Sequence, residues 1–122
     1  MLLINCSGHP APMIDVDGND IDLDVVDIDV PNLDIPNASF QDVAHDLMND
    51  ILDNVDKDVL MRGNFQVMLP GLTPLAVSLL TLLHGFIGHF PSVRSSVRVD
   101  GGFRLSDPID LFQVRLDGRD LR

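Results

Sequence analysis

The stretch FQVMLPGLTPLAVSLLTLLHG, residues 65–85, holds the pattern that decides the fold. Residues 65–69 form a short apolar run that is typical of a buried strand, and the loop Pro-Gly-Leu-Thr follows it directly. The rest of the stretch is a longer apolar segment with the signals of a helix start. A strand that passes through a tight loop into a helix is the repeating unit of α/β folds, and such loops lie at one edge of a parallel sheet.

The helix of this stretch has a predicted start and a predicted end. Thr73 is expected to cap it, Pro74 to occupy its first position, and Gly85 to stop it after His84. The predicted helix is apolar on almost every side, so it needs cover from something besides its own sheet. We therefore expect a homodimer or a higher homo-oligomer.

Similar patterns lie upstream of this stretch. Residues 1–6 are another short apolar run, which predicts a central strand followed by a glycine-containing loop. Apolar residues recur every 3.6 positions over residues 40–55, which predicts an amphipathic helix with Ser39 as N-cap and Asp42 at its third position. Strand, helix, strand, helix, strand in this order predicts one α/β domain over residues 1–122, with a Rossmann-like, mostly parallel sheet flanked by helices.

Residues 21–30 alternate apolar side chains with Asp and slip once at Val25-Val26. The alternation predicts a half-buried strand whose Asp face lies in water, and the slip marks a place where a β-bulge is expected. Charges along such a strand also blunt a sheet edge against aggregation.

Alternating valines and arginines near the end of the chain predict a C-terminal β-hairpin around the turn at residues 100–102. A three-residue turn would place Val99 opposite Phe103. The same register would put Arg98 and Arg104 together on the other face of the hairpin.

Composition limits the compartment and the partners. With 122 residues, one cysteine and no basic leader segment, we expect a single cytoplasmic domain. Polar residues interrupt the most apolar stretch, residues 72–87, which falls short of the roughly 20 residues that span a bilayer. We expect neither a membrane nor a long nucleic acid as partner. All 19 acidic residues are Asp, and 14 of them lie in residues 1–61. Residues 62–122 hold seven Arg and only five Asp, so this half of the chain is locally basic. The acidic total therefore does not exclude an anionic ligand.

The loop at residues 70–73 is a candidate anion site. Gly71, Leu72 and Thr73 open the predicted helix, so free backbone N–H groups and the positive end of the helix dipole point past the end of the strand. The alternative interpretation is a plain helix cap, because Thr-Pro is a common helix start.

The loop after the first strand lies at the same predicted sheet edge and holds Ser7, Gly8 and His9. Its pairing with the loop at residues 70–73 favours a ligand site over a plain cap. His9 is a better functional candidate than His45, which lies on the solvent face of the first predicted helix.

Other chemical groups have structural interpretations. His84 and His89 flank a glycine-spaced corner, and a helix C-cap with a corner histidine bonded to the backbone is the favoured interpretation. No Cys or His pair has the spacing of a metal motif, so we expect no metal and no cofactor. Residues 15–20 lack the Gly and the Glu of a calcium loop at the positions that define one, which predicts a solvated turn. Cys6 and Ser7 belong to no nucleophile motif.

Three segments resemble a known family: MLLINCSGHP at residues 1–10, LPGLTPLA at 69–76 and LHGFIGHFP at 83–91. They are similar to a small CRISPR-associated accessory family of type III systems, the short Csx-type proteins with a CARF-like Rossmann fold. The resemblance is strongest in residues 83–91. Residues 11–37 depart from it, because Asp-rich alternation and loop stand where the family fold has a first crossover helix.

The resemblance implies binding of cyclic oligoadenylate, with cyclic tetra-adenylate as the expected ring. Its phosphates would suit backbone donors at residues 71–73 and a nearby arginine such as Arg94 or Arg98. A ring with two-fold-like symmetry also favours a symmetric dimer. The expected ligand-binding residues are Ser7, Gly8, His9, Gly71, Leu72, Thr73, His89 and Arg94.

Three functional hypotheses remain open from the sequence. The first is a non-catalytic binder that sequesters cyclic tetra-adenylate and so regulates type III CRISPR signalling. The second is a metal-independent ring nuclease, in which a ribose 2′-hydroxyl attacks in line while His9 acts as acid or base. The third is a structural or protein-binding subunit without a nucleotide ligand. Sequestration is favoured over cleavage, because the sequence shows no convergent set of base, acid and positive stabiliser.

Overall fold

A computed structural model describes residues 1–122 as seven strands and four helices. The strands are β1 (Leu2–Asn5), β2 (Asp24–Asp27), β3 (Phe65–Met68), β4 (Ser92–Arg94), β5 (Ser96–Val99), β6 (Gly102–Leu105) and β7 (Ile109–Asp110). The helices are α1 (Phe40–Asn54), α2 (Lys57–Met61), α3 (Thr73–Ile87) and α4 (Leu111–Asp120). None of these helices is long and apolar enough to cross a membrane.

The main sheet has five strands in the order β2-β1-β3-β4-β7. The first four are parallel to one another, and β7 joins β4 in the antiparallel sense. Strands β5 and β6 form a separate antiparallel hairpin. The predicted α/β architecture, with a mostly parallel sheet, flanking helices and a C-terminal hairpin, is therefore confirmed.

Helices α1 and α3 pack side by side on one face of the sheet, which we call the helix face. This face holds the larger core, a cluster of 16 buried residues that includes Ile4, Leu47 and Leu79. The predicted start of α1 is confirmed, because the Ser39 side chain accepts a hydrogen bond from the backbone N–H of Asp42 at 3.3 Å. The 3.6-residue period of α1 thus turns its apolar side toward α3 and the sheet.

The predicted ends of α3 are both wrong. Leu72 is the N-cap and forms no side-chain cap, while Thr73 is already helical. Gly85 lies within the helix, and the chain leaves it at Gly88, whose φ of 81° is left-handed and whose N–H donates to the carbonyl of His84 at 2.8 Å. A left-handed C-cap needs the conformational freedom of glycine, and only the second of the two candidate glycines uses it.

The other face of the sheet, which we call the hairpin face, is thinly covered. Its buried cluster has three members, Leu3, Met68 and Leu105, with Ala11, Ile21 and Leu23 packed against them. The connection from β1 to β2 crosses this face without a helix, and Leu105 anchors the hairpin of β5 and β6 there. No helix lies between β1 and β2, where the sequence has Asp-rich alternation and loop.

Strand β2 is an edge strand, but the expected bulge is absent from its pairing with β1. The register runs without interruption from Leu2 opposite Asp24 to Asn5 opposite Asp27. The slip has a different cause. Before it the apolar residues at odd positions, such as Leu23, pack on the hairpin face, and after it those at even positions, such as Val26, pack on the helix face. A shift of one residue moves side chains to the opposite face of a sheet. The slip therefore marks where the apolar side chains of this segment change from the hairpin face to the helix face.

The register of the hairpin differs from the predicted one. Val99 lies opposite Gly102 and Arg98 opposite Phe103, so the turn has two residues, Asp100 and Gly101. Gly101 has a φ of 87°, a conformation that favours glycine at the second turn position. The expected grouping of the two arginines on one face is wrong, because a one-residue change of register separates them.

Candidate functional site

The carboxyl ends of β1 and β3 define the candidate site. These two strands are neighbours in the sheet, yet the chain leaves β1 toward β2 on one side and leaves β3 toward β4 on the other. The two connections diverge and leave a crevice between them. In open α/β sheets such a switch point is the usual place for a ligand.

A cavity of about 490 Å³, the arginine cavity, occupies this crevice. Residues from the ends of three neighbouring strands line it, including Ser7, His9, Pro70, Gly71, Arg94 and Ser96. The structure thus brings together four of the predicted site residues, Ser7, His9, Gly71 and Arg94, although they are separated by up to 87 positions in the sequence.

A second cavity of about 490 Å³, the phenylalanine cavity, adjoins the first and shares Ser7, His9, Met68 and Ser96 with it. Its remaining lining residues are Pro10, Pro12 and Phe103. The two cavities adjoin along the four shared residues, and we call them together the carboxyl-edge cleft.

Asn5 organises the first loop of the cleft, and sequence reasoning missed it. Its side chain is only 3% exposed. The amide nitrogen donates to the carbonyl of His9 at 2.7 Å and to the carboxylate of Asp27 at 2.8 Å. The amide oxygen accepts from the Ser7 backbone N–H at 3.0 Å and from its hydroxyl at 2.6 Å. A polar residue inside an otherwise apolar strand was the available signal, because buried amides are almost always bonded.

Ser7 and Gly8 shape this loop. The Ser7 hydroxyl donates to Asn5, and its oxygen accepts from the backbone N–H of His9 at 3.2 Å. Gly8 has a left-handed φ of 81° and lines a different cavity, on the β2 side of the loop, where Asp27 and Asp29 also lie. The Ser7 hydroxyl is therefore engaged in holding the loop, whereas His9 is exposed and lines both the cleft and the cavity that holds Asp27 and Asp29.

Arg94 is the positive group of the cleft. Its Nε donates to the side-chain oxygen of Gln66 at 2.6 Å, and one terminal nitrogen donates to the carbonyl of Ser106 at 3.1 Å. A guanidinium has five N–H donors in a planar fork, so these two bonds orient the group and leave further donors for a ligand.

The start of α3 adjoins the same cleft. No side chain caps this helix, and Pro74 near its start has no N–H. Gly71 lines the arginine cavity, and a Cβ added to it would meet no atom within 4 Å. Leu72 and Thr73 do not line either cavity: Leu72 packs against the core of the helix face, and the Thr73 side chain is exposed.

The structure does not bring His89 to the cleft. His89 precedes β4, just as Gly63 precedes β3, and a Cβ on Gly63 would lie 3.0 Å from the His89 ring. These residues therefore lie at the amino edge of the sheet, opposite the cleft. The His89 ring contacts the backbone carbonyl of Phe90 at 3.3 Å, and the His84 ring lies 4.2 Å from that of Phe90. Both histidines belong to the corner that follows α3.

The remaining candidates have structural roles. Burial of Cys6 in the core of the helix face raises the pKa of its thiol to about 12, which makes it a poor nucleophile at neutral pH. The Asp15 carboxylate accepts from the N–H groups of Asp17 and Asn19, both at 2.9 Å, so residues 15–20 form the predicted turn. No group of three or more His, Cys or Asp side chains is arranged to hold a metal ion.

The chain was also compared with known proteins. No family model matches it. No curated protein and no solved structure matches it either.

Proposed function

We propose that this chain binds a nucleotide second messenger in the carboxyl-edge cleft and sequesters it without cutting it. The observation that carries the proposal is the convergence of Arg94, His9 and Gly71 at a switch point of the sheet. The resemblance in the sequence implies cyclic oligoadenylate as the messenger, with cyclic tetra-adenylate as the expected ring. A Rossmann-like, CARF-like identity of the fold, a cytoplasmic location and a role in type III CRISPR signalling are parts of the same proposal.

The arrangement suits a phosphodiester. A phosphate in the arginine cavity would accept from the unused guanidinium donors of Arg94. It would also face the backbone at Gly71, where the absence of a Cβ leaves open space. The acidic residues Asp27 and Asp29 line the cavity on the other side of the first loop, so they would repel a phosphate from that side and favour the arginine cavity.

Two observations favour sequestration over cleavage. The Ser7 hydroxyl donates to Asn5 and so is not poised beside a base. The loop holds the backbone of His9 through its N–H and carbonyl, but no hydrogen bond orients its imidazole for proton transfer. Cleavage by His9 remains an outcome that the experiment below distinguishes.

The test is to incubate the protein with labelled cyclic tetra-adenylate and to separate the products. Retention of the intact ring supports the proposal. Cleaved products would show instead that the protein is a ring nuclease. A ring that is neither bound nor cut would favour the hypothesis of a protein-binding subunit.

The Gly71→Val variant localises the site. A branched side chain there would occupy the space of a ligand oxygen, so we expect the affinity for cyclic tetra-adenylate to fall more than about tenfold, or ~1.4 kcal/mol. The melting temperature should stay close to that of the parent, because Gly71 has no left-handed φ and a Cβ meets no neighbour. Tight binding by a folded Gly71→Val protein would place the ligand elsewhere.

The affinity for cyclic tetra-adenylate should also fall as the salt concentration rises, because salt screens the attraction between phosphate and arginine. Titration at two salt concentrations would measure this.

Self-association is a further part of the proposal. Helix α3 buries Leu75, Leu79 and Leu83 against the sheet and α1, but Val77 on its outer side is 58% exposed. A second copy could cover this side, and a symmetric dimer would match a symmetric ring. Light scattering should return at least twice 13.4 kDa for the parent and a lower mass for Val77→Asp. A mass of 13.4 kDa at micromolar concentration, with and without the ring, would exclude this assembly.

A further inference from the structure

The hairpin of β5 and β6 carries an aromatic side chain that the fold does not use. The hairpin is tied to the domain at its base, where Leu105 is buried and its N–H donates to the carbonyl of Ile14 at 2.8 Å. Two residues earlier, Phe103 is 59% exposed and forms a wall of the phenylalanine cavity. An exposed aromatic ring at a cavity costs hydrophobic free energy unless a ligand covers it.

Arg98 lies across the hairpin from Phe103, so both side chains are on the same face of it. The guanidinium carbon of Arg98 is 5.8 Å from the centroid of the Phe103 ring, within the range of a cation–π contact. Flat aromatic and guanidinium groups together are what proteins use to stack nucleobases. Pro10, Pro12 and Met68 add apolar surface to the same cavity.

We propose that Phe103, supported by Arg98, is the platform on which a base of the bound nucleotide stacks. This inference rests on the proposed function and deepens it, because it divides the carboxyl-edge cleft into two parts. A phosphate lies at Arg94 in the arginine cavity, and the adjoining base lies against Phe103 in the phenylalanine cavity. The two cavities adjoin at Ser7 and Ser96, so a ligand with its phosphate in one and its base in the other would lie across these two residues.

The chain has no Trp and no Tyr, which permits a direct optical test. In Phe103→Trp the only indole would lie at the platform, so we expect cyclic tetra-adenylate to quench its fluorescence while the affinity stays at or above that of the parent. The matched control is Phe112→Trp, which places the only indole on α4, at a position that lines neither cavity. Its fluorescence should not respond to the ring.

Phe103→Ala tests whether the platform contributes affinity. Loss of base stacking should weaken binding of cyclic tetra-adenylate by about 5- to 150-fold. Binding of tripolyphosphate, which has no base, should stay within about twofold of the parent value. Phe112→Ala should bind both probes like the parent, and thermal melts of each variant would show that it is folded.

The outcomes separate the two proposals. If the parent binds the ring, but Phe103→Ala binds it equally well and Phe103→Trp shows no quenching, the platform is wrong and the proposed function stands. If Phe103→Ala loses the ring and tripolyphosphate to the same extent, the residue has no base-specific role and the platform is also wrong. If the parent binds no ring at all, both proposals are overturned.

Discussion

The two faces of the sheet come from the same strands but are built differently. On the helix face, Phe65 and Val67 of β3 join a cluster of 16 buried residues beneath α1 and α3. On the hairpin face the intervening Gln66 bonds to Arg94, and the buried cluster has three members. Burial of apolar area is the main source of stability, so the helix face contributes most of the stability of the fold. The thin cover of the hairpin face leaves room for polar side chains and for the cleft.

The largest change in the free energy of unfolding is expected when a core side chain is truncated, and one such variant can be made on each face. We expect Leu79→Ala to lower the free energy of unfolding by about 3–4 kcal/mol, because its fully enclosed site cannot collapse. Met68→Ala should cost less, about 2 kcal/mol, because Met68 already borders the cavities of the cleft. Urea unfolding would measure both values, and equal losses would contradict the asymmetry of the two faces.

High pH should weaken the helix face through Cys6. Its pKa is raised by burial to about 12 in the folded chain, from 9.0 as its ordinary value. The folded state therefore keeps the proton that the unfolded state loses, so stability is complete below pH 9 and falls as pH rises from there toward 12. At pH 10.5 the loss should be about 2 kcal/mol, at roughly 1.4 kcal/mol per unit.

The control for this prediction is Cys6→Ala, which should lose most of the alkaline decline although it is less stable at neutral pH. The chain has no Tyr and a single Lys, so few other groups titrate in this range. Urea unfolding of both proteins at pH 8.5 and 10.5 is the measurement. The same decline in both would show that Cys6 is not its cause.

Asn5→Ala probes the polar bonding of the hairpin face. Four hydrogen bonds to Ser7, His9 and Asp27 would be lost, and we expect a decrease of about 1–2 kcal/mol in stability together with weaker binding of cyclic tetra-adenylate. Asp27→Ala removes only one of these bonds and should cost less, about 0.5–1 kcal/mol, because Asp27 is exposed. If Asn5→Ala kept full stability and binding, the network would not be what shapes the loop.

The smallest change in the free energy of unfolding is expected from a substitution at the start of α3. Thr73→Val should change the free energy of unfolding by less than about 0.5 kcal/mol, since Thr73 is not the cap. By contrast, Ser39→Ala should cost about 1 kcal/mol, because Ser39 caps α1 with a hydrogen bond to Asp42. Equal costs in thermal or urea unfolding would mean that α3 is capped after all.

The structure brings only some of the predicted site residues together. Ser7, His9, Gly71 and Arg94 line one cavity because they follow parallel strands, whose carboxyl ends share an edge. His89 was placed with them on resemblance alone, yet it precedes a strand and therefore lies at the opposite edge. Helix α4 was not predicted, because none of its residues is buried and its sequence lacks a clear apolar side.

The sequence by itself determined the features that depend on near neighbours. The apolar runs of β1 and β3, the 3.6-residue period of α1 and its Ser39 cap are local patterns, and each appears where it was predicted. The order of these elements was enough to predict a mostly parallel α/β sheet.

Only the tertiary structure decided the features that depend on distant partners. Both Gly85 and Gly88 could end α3, and both a two- and a three-residue turn could close the hairpin, so local preference did not choose between them. The bonds of Asn5 join residues up to 22 positions apart, and the cavity beside Phe103 requires the hairpin to sit over the end of β1. Such contacts form only when the chain has folded, because burial and hydrogen-bond satisfaction are properties of the assembled structure.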